Sequence, residues 1–70
     1  MTKSNNQNLA RKVESLRKKQ RLSQEKLARL ADVSNNTIIN IGAGVNDNPT
    51  IETLHKIAKA LSVSVEDLIK

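Results

Sequence analysis

In LSQEKLARLADVSNNTIINIGAG, residues 22–44, two serines each stand directly ahead of a run with helical apolar spacing, and only ADVS bridges the runs. Ser23 can cap the free amides of QEKLARLA, and Glu25 suits the positive end of that helix's dipole. A helix is therefore expected over residues 24–31, burying Leu27, Ala28 and Ala31. Ser34 offers the next cap, for a helix that runs to about Ile41 and is ended by Gly42 and Gly44. DVS is too short for anything but a tight turn, so two short helices must meet across it.

The flanking sequence repeats the scheme. Leu9, Val13 and Leu16 recur at i, i+4 and i+7, predicting an amphipathic helix from about residue 8 to 20 with its basic side outward, behind a disordered N-terminal arm, residues 1–7. After the polar loop VNDNP, Thr50 caps a fourth helix, residues 51–61, whose Ile51, Leu54, Ile57, Ala58 and Leu61 line one face. Ser64 with Asp67 forms a capping box for a last short helix that buries Val65, Leu68 and Ile69. With no aromatic residue, the core must be built from Leu, Ile, Val and Ala, which favours helices over a sheet. The expected fold is all-α: a compact five-helix bundle forming one domain over residues 8–70.

The same composition excludes several functions. Without Cys and with a single His, no disulfide, cysteine-based metal site or catalytic triad can be assembled, so neither an enzyme nor a cofactor or small-molecule substrate is expected. His55 borders the apolar stripe of the fourth helix and reads as a boundary residue. IGAG closes a helix where a phosphate loop would open one, and it lacks a third Gly. No apolar run suits a signal peptide or a membrane span, so the chain is expected to be cytoplasmic.

Charge and helix geometry point to a polyanionic partner. Residues 1–29 hold nine Lys or Arg against Glu14 and Glu25, a local +7, whereas residues 30–70 carry a local −2 that completes the net +5. At about 100° per residue, Ile38 and Ile41 share the core face of the third helix, and Asn35, Asn36, Ile39 and Asn40 project together from the other. Asn is a poor helix former, because its amide competes with the backbone, so three of them need a compensating role. Double-stranded DNA supplies one: an α-helix fits the major groove, an Asn amide can pair with adenine N7 and N6 together, and Ile39 can press on a thymine methyl.

LARKVESLRKKQRLSQEKLARLADVSNNTII, followed by NPTIETLHKIAKALSVSVEDLI, resembles the helix-turn-helix domain of the lambda/434 repressor and Cro class, the XRE family, over about residues 9–69. The resemblance implies five helices, a two-fold dimer on operator DNA and a third helix in the major groove. It also implies roles. Gln24 matches a Gln that bonds a DNA phosphate, and Ser34 and Thr37 match positions that cap the third helix and touch the backbone. Asn35, Asn36, Ile39 and Asn40 match the base-reading positions. Arg17, Lys18 and Arg21 match positions that are often basic and support the backbone contact.

Three departures from the family carry expectations. Relatives commonly have a Glu at the position of Gly42, paired with the Arg matching Arg17. Its loss should leave Arg17 freer for phosphate and fray the last turn of the third helix. Asp32 stands where a left-handed Gly is usual, and Asp47 in the loop would be repelled by phosphate. Val63, Val65, Leu68 and Ile69 are the expected dimer surface, since so short a chain leaves few ways to bury them all. The expected function is a sequence-specific double-stranded DNA-binding transcription regulator, a repressor acting as a homodimer on a palindromic operator. The alternative is a protein-interaction module, antitoxin-like or with weakened DNA binding.

Overall fold

Each of the four predicted hydroxyl caps starts a helix in the computed structural model, which describes residues 5–46 and 48–69. The helices are α1 (Asn5–Lys19), α2 (Gln24–Ala31), α3 (Asn35–Gly42), α4 (Ile51–Ala60) and α5 (Val65–Ile69). The Ser23 and Ser34 hydroxyls accept from the Lys26 and Thr37 amides at 3.0 and 3.1 Å. Thr50 accepts from Thr53, and Ser64 from Asp67, both at 3.1 Å. Asp67 Oδ2 in return accepts from the Ser64 amide at 3.2 Å, completing the capping box.

The helix ends are as uniform as the starts. Arg21, Asp32, Gly44 and Ser62, at φ 59°, 59°, 79° and 61°, turn the chain left-handed after α1, α2, α3 and α4 respectively. The residue after each (Leu22, Val33, Val45 and Val63) donates its amide back to the carbonyl five positions earlier at 2.9–3.0 Å. Leu22, Val33 and Val63 then pack on the core, whereas Val45 stays 73% exposed. Of the four turning residues, Gly44 alone takes a left-handed φ without a clash at Cβ; for the others it costs about 1–2 kcal/mol each.

These turns fold the five helices into a closed ring of packing. α1 packs on α3, α3 on α2, α2 on α4, α4 on α5, and α5 back on α1. Val13, Leu27, Ile38, Ile41, Ile57, Leu61 and Leu68, drawn from every part of the ring, are completely buried at its centre. The Gln20 side chain adds a polar tie, donating to the Leu61 carbonyl at 2.8 Å and joining the ends of α1 and α4.

Some sequence-based expectations differ from this fold. α1 begins at Asn5, inside the arm expected through residue 7; residues 1–4 of that arm, Asp47 and Lys70 lie outside the described residues. Ile51 is 65% exposed, because the first residue of a helix has no preceding turn for its side chain to lie over. Ile69 is exposed as well. In so short a helix its neighbour Leu68 takes the inward direction, and successive side chains diverge by about 100°. Leu68 is wholly buried within the monomer, so it belongs to the core and drops out of the expected dimer surface.

If the left-handed turns are strained, Ser62→Gly should raise the unfolding free energy by about 1 kcal/mol and Gly44→Ala should lower it by about as much. Thermal unfolding checks both, since a midpoint in a domain of this size moves about 4–8 °C per kcal/mol. A Ser62→Gly midpoint equal to that of the parent chain would show that no strain is stored there.

Candidate nucleic-acid interface

The roll of α3 about its axis is set by its two core residues. Ile38 and Ile41 are 0% and 1% exposed, and α3 is packed against both α1 and α2. With that face inward, Asn35, Asn36 and Ile39 are exposed on the other side and Asn40 is half-buried. The Asn40 carbonyl accepts from the amides of Val45 and Asn46 at 2.9 and 3.0 Å, so the closing turn holds this residue in place. The four candidate base-reading residues therefore occupy one face of a helix that is anchored from behind.

The start of α3 gathers polar groups. Ser34 Oγ caps the Thr37 amide and lies 2.8 Å from Thr37 Oγ1, which puts two hydroxyls and the free amides of a first turn in one place. α2, α4 and α5 each carry an acid in the first turn, whereas α3 carries none. Like α1, it has no acid to answer its dipole, and at this end the neutral Ser34 cap is the side chain that meets the free amides. Gln24, half-buried, opens α2 directly after its Ser23 cap. Lys18 and Arg21 are exposed at the end of α1 and in the turn that follows, just ahead of that start. Between α2 and α3 lie only Asp32, Val33 and Ser34, with Asp32 in the left-handed conformation expected of it.

Arg17 departs from expectation. Its Nη2 pairs with Glu14 Oε1 at 2.6 Å and its Nη1 donates to the Leu22 carbonyl at 2.5 Å, with the Arg17 and Glu14 side chains only 13% and 23% exposed. It is therefore engaged inside the fold and not free for phosphate. The acid missing from position 42 is supplied by Glu14 of α1, and a Cβ on Gly42 would collide with Glu14 Oε2 and stand 3.2 Å from Cδ. Glu14 was not singled out from the sequence, although its i, i+3 spacing to Arg17, read together with a helical Gly, carried the signal. The end of α3, where the loss of the acid is expected to fray the last turn, carries a set of closing hydrogen bonds. The Ala43, Gly44, Val45 and Asn46 amides all return to α3 carbonyls, so the last turn is closed despite Gly42.

Of the expected dimer residues, Val63 and Val65 are half-buried and Ile69 is 54% exposed. A groove beside α4 is lined by Val63, Val65, His55, Lys56 and Lys59. Among the described residues, no group of His, Asp or Glu side chains could hold a metal ion, and no helix is long and apolar enough to cross a membrane.

A model of the helix-turn-helix family matches residues 13–68. The fold is similar to that of the restriction-modification controller protein C.AhdI from Aeromonas hydrophila, with a TM-score of 0.87 and 24% identity over 94% of this chain and 98% of that one. It is also similar to part of hydroxypropylphosphonic acid epoxidase from S. wedmorenis, with a TM-score of 0.84 and 23% identity. That match covers 99% of this chain but 36% of the epoxidase. At these identities the likeness to both is one of fold. No curated protein matches the sequence.

Gly42→Ala sets two effects against each other. Ala gains about 1 kcal/mol of helix propensity, but its Cβ displaces the Glu14 carboxylate from Arg17, and a hydrogen bond between charged groups in a mostly buried place is worth about 1.5–3 kcal/mol. The loss should win by about 1 kcal/mol, which chemical denaturation would register. A more stable Gly42→Ala chain would mean that the carboxylate relaxes without cost.

Proposed function

The chain belongs to the XRE type of helix-turn-helix family, a family of DNA-binding regulators, and from that premise we propose that it binds a specific double-stranded DNA sequence and represses transcription as a homodimer. The observation that carries this reading is the anchored face of α3, where Asn35, Asn36 and Ile39 stand exposed opposite the buried Ile38 and Ile41. Asn35, Asn36 and Asn40 read base edges, and Ile39 contacts a thymine methyl. Ser34, Thr37, Gln24, Lys18 and Arg21 take phosphate, which fixes the register without reading sequence. Arg17 takes no part in that contact. Regulation is by occupying a palindromic site in the cytoplasm, and no catalytic step is involved.

In the dimer, the two copies of α3 enter successive major grooves about 34 Å apart on a palindromic operator. Val63, Val65 and Ile69 form the contact between copies, with Leu68 beneath them in each core. A second reading, a protein-binding module, draws support from Leu30 and Val45, apolar side chains 53% and 73% exposed.

Selection of bound sequences from a randomised duplex pool should enrich a short palindrome, with affinity falling linearly in log salt. The Asn35→Ala, Asn36→Ala double variant should lose at least about tenfold in discrimination, since each good pairing with a base is worth about 1–3 kcal/mol. No enrichment by the folded parent chain would favour the protein-binding reading. Ile69→Asp should weaken self-association about tenfold or more without a loss of folding, because the buried side chain would supply about 1.5–3 kcal/mol. A parent chain that sediments as a monomer at high micromolar concentration, with and without its selected duplex, would rule out the dimer.

A further inference from the structure

The joint between α1 and α3 is built from a side chain and the absence of one. Glu14 Oε2 is buried, has no hydrogen-bond partner, and lies where the Cβ of residue 42 would be. The other oxygen of the same carboxylate holds Arg17, whose second amino group holds the Leu22 carbonyl just ahead of α2. A guanidinium thus links α1 to the turn that opens α2, and its acid seats the last turn of α3. An ion pair one turn apart on a free helix surface is weak and solvated, as the i, i+4 pair Glu52–Lys56 of α4 is at 3.8 Å with Glu52 80% exposed. Glu14–Arg17 differs because it occupies a contact between helices.

We propose that Glu14, Arg17 and Gly42 form one coupled unit that sets where the C-terminal end of α3 lies against α1, and that its acid is exchangeable between positions 14 and 42. The geometry for exchange is present: the Cα–Cβ direction of residue 42 points at the Glu14 carboxylate, so an acid grown from that position would enter the space that Glu14 fills. The end of α3 carries Asn40, whose carbonyl anchors the closing turn. Moving this end against α1 tilts the helix, and with it the face that carries Asn35, Asn36 and Asn40. Hydrogen bonds to bases weaken steeply with such misalignment, so Glu14 acts as a positioning residue for the face that reads DNA. This last step rests on the function proposed above; the coupling itself does not.

The experiment compares the parent chain with Glu14→Ala, Gly42→Glu and the double variant Glu14→Ala, Gly42→Glu. The double variant has the parent's net charge, so long-range attraction to DNA is matched. Thermal midpoints and backbone amide shifts of residues 40–44 are read without DNA. The ratio of affinity for the selected duplex to affinity for unrelated duplex is read with it. Each single variant is expected to lower the midpoint, shift the amides and reduce the affinity ratio about tenfold, and the double variant to return to within about threefold of the parent. Glu14→Gln, which keeps the shape and an acceptor, should fall between parent and Glu14→Ala, and it supplies the comparison if a harsher single variant fails to fold. A double variant no better than the sum of the singles, in midpoints and amide shifts, would overturn the coupling. Recovery of midpoint and shifts with no change in affinity ratio across the set would overturn the positioning role. A parent chain with no preferred duplex would refute the DNA function while leaving the midpoint and shift comparison to decide the coupling.

Discussion

Burial of Ile38 and Ile41 against α1 and α2 fixes the rotation of α3, and the outward set of side chains follows from it. Each removes an aliphatic side chain from water, a gain of about 1.5–3 kcal/mol. Rotating the helix to bury an asparagine would forfeit that gain and strand an amide, at about 1–3 kcal/mol more. The orientation of the candidate reading face is thus held by apolar residues that never touch a partner. The adjacent Ile39 stays outside at 37% exposure because it has no place on the inward stripe.

Intrinsic propensity does little to make α3 a helix. Its sequence, NNTIINIG, contains three Asn, three consecutive β-branched residues (Thr37, Ile38 and Ile39) and a Gly, all poor or indifferent helix formers. Formation is driven from its ends and its back: the Ser34 cap satisfies one amide, the left-handed turn at Gly44 satisfies the closing carbonyls, and tertiary packing does the rest. The same terminal devices recur through the chain, at hydroxyls in front and left-handed residues behind. This explains how a chain without aromatic residues keeps four helix ends short enough to close a ring.

Glu14 over Gly42 extends that logic to the polar interior. A partly buried guanidinium with one nitrogen unsatisfied, and an acid with one oxygen unsatisfied, are costly to leave without tight geometry around them. Two hydrogen bonds at 2.6 and 2.5 Å supply it. The absent side chain of Gly42 leaves the room that the Glu14 carboxylate occupies, and the last turn of α3 is still closed by the amides that follow it.

Helix number, the hydroxyl caps and the facing of α3 were legible in the sequence, because each depends on interactions within about four residues or on a single apolar stripe. Ile38 and Ile41 inward and the Ser64–Asp67 box follow from local spacing, and the left-handed Asp32 from the family resemblance. What the sequence alone left undecided was how far each stripe reaches into the shared core. Ile51 and Ile69 fall outside it and Leu68 wholly inside, because burial depends on which neighbouring helix lies over each position. The setting of the Glu14–Arg17 pair was likewise decided by tertiary structure: Glu14 and Gly42 are distant in the chain and are brought together only when α1 packs on α3. Local sequence determined which helices form and which face each turns inward, since capping and periodicity are short-range. The tertiary structure alone decided how deeply each stripe is buried and that the Glu14–Arg17 pair of α1 lies against Gly42 of α3, since those contacts are made across the ring.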